Sequence, residues 1–414
     1  LYFPSSIVLI FSSAQEVRLR ERAYWPREIN MRGLIEHCNE QTVLKIRRWG
    51  FLLFVVPPAL LGAAYWFGEN QQHQNLWAFF PVFFVYGIIP VLDYLIGKDT
   101  ANPDPATTKA LEANPYFPIL TLLCLPIQLA CLYFSIHYVI DAYQAANLTA
   151  VGVLGWILSL GIVSSALAIN IGHELIHKNS TLEQWAGGLL YASVCYAGFK
   201  VEHVRGHHVN VSTPADASSS RYNESAYAFI PRAIVKNVRN ALALEAKRLA
   251  RYNLPALHWR NELLWWHGIS ALLAVFAMLH FGLMGLGLFL AQAAIAIIHL
   301  ELINYVEHYG LSRKLLPNGK YERTNITHSW NSSYFLTNLF LFQLQRHSDH
   351  HENPKRRYQI LRHFDESPQL PGGYASMVLL ALVPPLWRKV INPRVRAYYQ
   401  QAENGDAAGK AHAA

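Results

Sequence analysis

The chain is short of charge. Of its 414 residues only 15% are Asp, Glu, Lys or Arg, where a soluble domain usually carries about 25%, and 52% are hydrophobic. That balance excludes an ordinary soluble globule and points to a protein built for a bilayer. Cysteine is scarce as well. Cys38, Cys124, Cys131 and Cys195 form no CxxC pair and no disulfide-like framework. Their spacing excludes a four-thiolate iron or zinc site and fits a reducing, cytosol-facing environment. No internal repeat is present. No cleavable signal is expected, since Leu1 to Phe11 is apolar but short and lacks a basic leading region. The formal charge of +8 does not mark a nucleic-acid binder, because Lys and Arg cluster beside apolar runs, as at the flanks of membrane helices.

Long apolar runs are what the sequence has in place of charge. About 20 apolar residues cross a bilayer, and spans are predicted near 49–68, 76–96, 116–139, 148–171, 263–281 and 283–303. The last two share a tight turn near Phe281-Gly282. The stretch 185–199 is too short to cross and reads as a helix at the interface or buried among the others. Residues 374–387 are interrupted by Pro384-Pro385 and are not counted. The segment 1–48 carries Arg18, Arg20, Arg22, Arg27, Arg32, Lys45, Arg47 and Arg48, whereas the loops 69–75 and 140–147 carry no Lys or Arg. The excess of positive charge puts the N-terminal segment in the cytoplasm. The expected fold is an all-α integral membrane protein of six transmembrane helices with a cytoplasmic helical cap. Its body runs from 49 to 390, followed by a flexible tail or linker, 391–414. The basic amphipathic stretch 233–251, with Lys236, Arg239, Lys247, Arg248 and Arg251, is expected to lie on anionic lipid headgroups.

Nine of the nineteen histidines fall in four short windows: His173 and His177; His203, His207 and His208; His308; and His347, His350 and His351. Residues three or four apart share a helix face, so each multi-His window is expected to present its imidazoles in one direction. With the orientation above, spans four and six both exit into the cytoplasm, and all nine histidines land on that side. Packed imidazoles repel if protonated and are costly if buried unpaired. Metal ligation removes both costs, and nine ligands exceed the needs of one ion, which implies a dimetal site. Imidazoles without thiolates suit Fe, Zn, Cu or Ni rather than Mg or Ca, and a redox pair beside a hydrocarbon chamber favours iron. His173-Glu-Leu-Ile-His177 also satisfies the HExxH pattern of zinc proteases, with Glu174 as base. That reading needs only three protein ligands and leaves the remaining windows unexplained. A metal transporter would place its ligands near the bilayer midplane, not at the cytoplasmic helix ends. The isolated His280 and His299, within predicted spans, read as satisfied polar residues.

His-Glu-Leu-Ile-His-Lys (173–178), Glu-His-Val-Arg-Gly-His-His (202–208), Asn-Tyr-Val-Glu-His-Tyr-Gly-Leu (304–311) and Leu-Gln-Arg-His-Ser-Asp-His-His (344–351) closely resemble the integral-membrane alkane monooxygenases, within the membrane desaturase and hydroxylase superfamily. Tyr358-Gln-Ile-Leu361 extends the likeness, which covers roughly 40 to 390. Xylene-type aromatic methyl monooxygenases and other His-box hydroxylases or desaturases share parts of the pattern and are the alternative. The resemblance implies two non-haem iron ions held by all nine clustered histidines. It implies electrons from rubredoxin, fed by an NADH-dependent reductase, and O2 as oxidant. One oxygen then enters the terminal methyl of a medium-chain n-alkane, giving a 1-alkanol, and the other leaves as water. It also implies an inner-membrane enzyme with its site facing the cytoplasm. The rubredoxin is expected to be a separate protein or a domain beyond Ala414. Arg346, Lys355, Arg356 and Arg357 are expected to steer an acidic donor. Metal-bound His usually donates its other ring nitrogen to an acceptor; Asp216, Asn304, Glu307 and Asp349 are the candidate residues around the irons.

Overall fold

Four helices in this computed structural model are long and apolar enough to cross a membrane: α1 (Glu40–Gln71), the next to be labelled α3 (Tyr116–Gln144), α4 (Ala150–Ile176) and α8 (Glu262–His308). The structure describes residues 33–412 apart from Gln72, with side chains as far as Gln400. The basic run from Arg18 to Arg32 lies outside the described residues. The shorter apolar helix α2 (Phe80–Ile96) contains a π-helical turn at Phe84–Ile88. The helices overshoot the apolar runs that announce them. At 1.5 Å per residue, the 27 residues of α4 run about 40 Å, past a hydrocarbon core of about 30 Å. The extra turns carry His173 on α4 and His308 on α8.

Gly282 divides α8. Its φ of 69° and ψ of −167° lie in a region that only glycine occupies freely, so the 47-residue element is two helices meeting at a sharp bend. Its first turn is capped by Asn261, whose side chain accepts from Leu263 N at 2.9 Å. α4 is the interior helix. Of its most apolar window 72% is buried, against 33% for α1 and for α8 and 39% for α3, so the other three turn much of their apolar surface outward. α4 meets α8 closely at Gly161, where an added Cβ would stand 2.5 Å from the Ile295 side chain. Larger residues there would push the two helices apart.

The remaining helices close one end of this bundle. α5 (Thr181–Ser193) is capped by Ser180, which accepts from Glu183 N; its Leu190, Tyr191 and Ala192 are fully buried. α6 spans 199–210 and α7 is Ala226–Ala250. α9 (Phe335–Phe340), α10 (His347–Glu352), α11 (Tyr374–Ala381) and α12 (Pro384–His412) complete the chain. Among the described residues no strand forms; three isolated bridges, such as Asn331 to Gln369, brace the loops.

Three expectations change. The tail does not begin at 391: Ile391 and Val395 on α12 are buried, and Asn392 Oδ1 accepts from Tyr309 at 2.8 Å. Packed chain therefore continues at least to Tyr399, whose hydroxyl accepts from Ser312 N. The basic face of 233–251 is only partly free. Lys236 donates to the carbonyls of Pro214 and Asp216 and Arg248 to Glu245, leaving Arg239, Lys247 and Arg251 exposed. Arg346 is not on the surface at all. Fully buried, it donates to the carbonyls of Leu361 at 2.7 Å and Asp99 at 3.0 Å and shares the Asp99 carboxylate with Arg47.

Candidate metal centre

The nine clustered histidines converge into two groups. In one, His173, His177, His203, His208 and His350 offer ligand atoms that all lie within 4.8 Å of one another; His207, His308, His347 and His351 do the same in the other. The groups cut across the sequence windows. His173 on α4 and His177 at its C-cap, one turn apart, stay together, as do His347 and His351 on α10. His350, between the last two, faces the other group.

The second window splits because its helix is not an α-helix. His203–His207 form a π turn, in which His208 N bonds to His203 O, an i→i+5 bond. That bond brings His203 and His208 edge to face, with Nε2 atoms 3.1 Å apart. His207 turns the other way, with Nε2 3.3 Å from His351 Nε2. The expectation that each window faces one direction fails here at the π turn, and it fails also on the α-helical α10, where His350 parts from His347 and His351.

Chemically, the groups fit cations. His208 and His350 Nε2 are 3.2 Å apart, His308 and His347 Nε2 3.2 Å, and His347 and His351 Nε2 2.9 Å. Nitrogens at such distances need a proton or a metal ion between them, and one ion serves several rings at once. His177 Nε2 is buried with no hydrogen-bond partner. Burial pushes the imidazoles of His177, His203, His208, His347, His350 and His351 well below the ordinary histidine value. They are therefore neutral at pH 7, the form that binds metal. An all-imidazole set suits a transition metal.

His207 differs from the rest. Burial pulls its pKa down, but the Asp216 carboxylate outweighs that and raises it. Both Asp216 oxygens lie 3.0 Å from His207 Nδ1, and Ser219 Oγ donates to Asp216 at 2.6 Å. Asp216 is itself held down to about 2: burial raises it and His207, with Ser219, more than reverses this. Glu307 Oε2 is 3.2 Å from His347 Nε2, on the nitrogen that faces the group, and Oε1 accepts from Tyr374 at 2.7 Å. Asn304 directs its amide to Glu301, donating at 3.1 Å. Asp349 also turns away, to Arg356, Asn353 and Arg362 N. Between His347 and His350 in sequence, its fully buried carboxylate braces the loop after α10 instead of facing the rings.

Glu174 is likewise engaged elsewhere. It pairs with Lys178 at 2.9 Å and accepts from Tyr358 N at 3.2 Å, an anchor between α4 and the loop after α10 rather than a general base. Arg357 grips Glu183 on α5 through two bonds. Tyr374 and Asn170, in none of the four motif windows, line the space beside these groups. Asn170 carried a signal, since it lies three residues before His173 on the same helix; Tyr374, far from every motif, carried none.

An apolar channel with a cavity volume of about 110 Å³ reaches these groups. Val56 and Leu60 of α1, Phe84 and Ile89 of α2 and Ile162 and Ile169 of α4 line its length, and His173, His203, His347 and Glu307 stand in its wall. A separate polar cleft is walled by His177, His208, Lys355 and Arg356. The histidine groups thus have apolar space on one side and a polar approach on another.

Apolar helices and a buried histidine centre of this kind define an integral membrane protein of the fatty acid desaturase family, whose family model matches residues 148–380. Within it, the chain belongs to the alkane 1-monooxygenases. It is 53% identical to alkane 1-monooxygenase 2 of Pseudomonas aeruginosa over 365 residues, covering 87% of this chain and 95% of that one. Alkane 1-monooxygenase 1 of the same organism is 51% identical over 371 residues (89% and 96%). Alkane 1-monooxygenase 2 of Alcanivorax borkumensis is 50% identical over 370 residues (89% and 96%).

Proposed function

We propose that this protein is a membrane di-iron monooxygenase that converts n-alkanes to 1-alkanols. The observation that carries the reading is the apolar channel ending on His173, His203 and His347. An alkane has no polar handle, so shape alone must bring its methyl to the oxidant. Atoms and electrons balance as RH + O2 + 2e⁻ + 2H⁺ → ROH + H2O. Iron held by the two histidine groups, one of five ligands and one of four, would supply the redox chemistry that activates O2.

The chain's own residues do the rest. Asp216 fixes the His207 ring and its tautomer, leaving Nε2 free to ligate. Glu307, held by Tyr374, puts a carboxylate beside His347 at the inner end of the channel. The apolar wall keeps water from the oxidant. The bend at Gly282 makes two spans of α8, and with α1 to α4 these are the six spans of an inner-membrane enzyme whose site faces the cytoplasm. Rubredoxin, separate or fused beyond Ala414 and fed by an NADH-dependent reductase, delivers electrons at the polar cleft, where half-buried His208 brings a ligand ring toward the surface. Lys355 is the exposed cation there; Arg356 and Arg357 are tied to Asp349 and Glu183. Iron-loaded membranes given n-octane, O2, NADH, rubredoxin and reductase should yield 1-octanol. Reduced donor consumed without any octanol would refute the alkane reading.

A further inference from the structure

Asn170 is a polar group in an apolar wall, and its neighbours do not use it. Its side chain lines the channel, the residue is only 7% exposed, and its Nδ2 has no hydrogen-bond partner. Three other polar side chains of the wall are engaged. Ser165 Oγ lies 2.6 Å from His299 Nδ1, Asn304 donates to Glu301, and Glu307 accepts from Tyr374. A buried donor left unpaired is costly, so a free amide facing a ligand channel marks a place where a ligand supplies an acceptor.

The location says which acceptor. Asn170 closes the π turn Ser165–Asn170, a distortion that recurs at functional sites. It stands three residues before His173 and therefore on the same side of α4, about 4.5 Å along the axis. An oxygen reaching Asn170 belongs to the carbon nearest the histidine groups. The alkane has no such oxygen; the primary alcohol has one, on the carbon just oxidised.

We propose that Asn170 binds the product, its Nδ2–H donating to the hydroxyl oxygen of the 1-alkanol. The inference rests on the alkane-hydroxylase reading above. The amide separates product from substrate of equal length and sets how long the alcohol stays in the channel. A hydrogen bond of ordinary strength in a dry site implies about a tenfold preference.

The test is inhibition of n-octane hydroxylation in the iron-loaded enzyme by 1-octanol, with n-nonane as a size-matched inhibitor lacking oxygen. In Asn170→Leu, which keeps the bulk and removes the amide, the 1-octanol inhibition constant should rise about tenfold relative to wild type, while inhibition by nonane moves less than about twofold. Calorimetric titration of the same purified proteins with 1-octanol should give the same ratio without turnover. Asn170→Ala is read the same way should the leucine variant not accumulate. Unchanged octanol inhibition, or octanol and nonane weakening together, would overturn the proposal. Failure of the wild type to hydroxylate octane would instead sink the underlying function, and the two failures are told apart by that control.

Discussion

Asp216 approaches His207 with both carboxylate oxygens at 3.0 Å from Nδ1, and nothing comparable supports most of the other clustered rings. His203, His208, His347 and His351 have buried Nδ1 atoms with no partner. Within the four-ligand group Asp216 is the carboxylate that holds an Nδ1, while Glu307 lies against the other nitrogen of His347. Asp216→Ala should weaken iron retention about 10- to 100-fold, read by competition with a chelator; retention equal to wild type would remove Asp216 from the centre. Glu174 gives the contrasting case. Because it pairs with Lys178 and caps Tyr358 N, Glu174→Gln should lower the unfolding temperature while each bound iron keeps its hydroxylation rate. Loss of all activity with full iron content would restore Glu174 to a chemical role.

At the scale of elements, the π turn in α6 decides which histidine serves which group. Deleting Val204 would shorten His203–His207 by a residue and return the turn toward α-helical spacing. Both groups should then lose ligands, and iron binding should fail in a protein whose other helices persist by circular dichroism; normal iron content would contradict this account of the split. Gly282→Ala forces a side chain into backbone reserved for glycine and should cost roughly 1–3 kcal/mol, measured as lower thermal stability. The same elements show what the sequence could reveal. Hydropathy finds the apolar middles of α1, α3, α4 and α8, and i, i+4 spacing pairs His173 with His177 and His347 with His351. Hydropathy does not mark helix ends where polar residues such as His308 are buried by protein rather than lipid. The π turn has no spacing signature. Adjacency alone misdirects for Asp349 and Arg346, since a residue beside a ligand on a short helix can point the opposite way.

Across the whole molecule, α1, α2, α4, α8 and α11 combine to wall a channel that no single segment announces. Ile162 lies eleven residues before His173 on α4, about 16 Å along the axis, in the part of the wall distant from the histidines. Ile162→Trp should therefore reduce oxidation of hexadecane far more than of octane, compared as kcat/KM; equal losses would mean the chain takes another route. The two-group arrangement is the claim on which the function stands. The most direct measurement is metal content of the purified full-length chain after mild chelator washing, for wild type, His177→Ala and His308→Ala. Two irons per chain in wild type, with each variant losing iron first from its own group, is the expected result. One metal per chain in wild type, with both variants emptying the same site, would contradict the account.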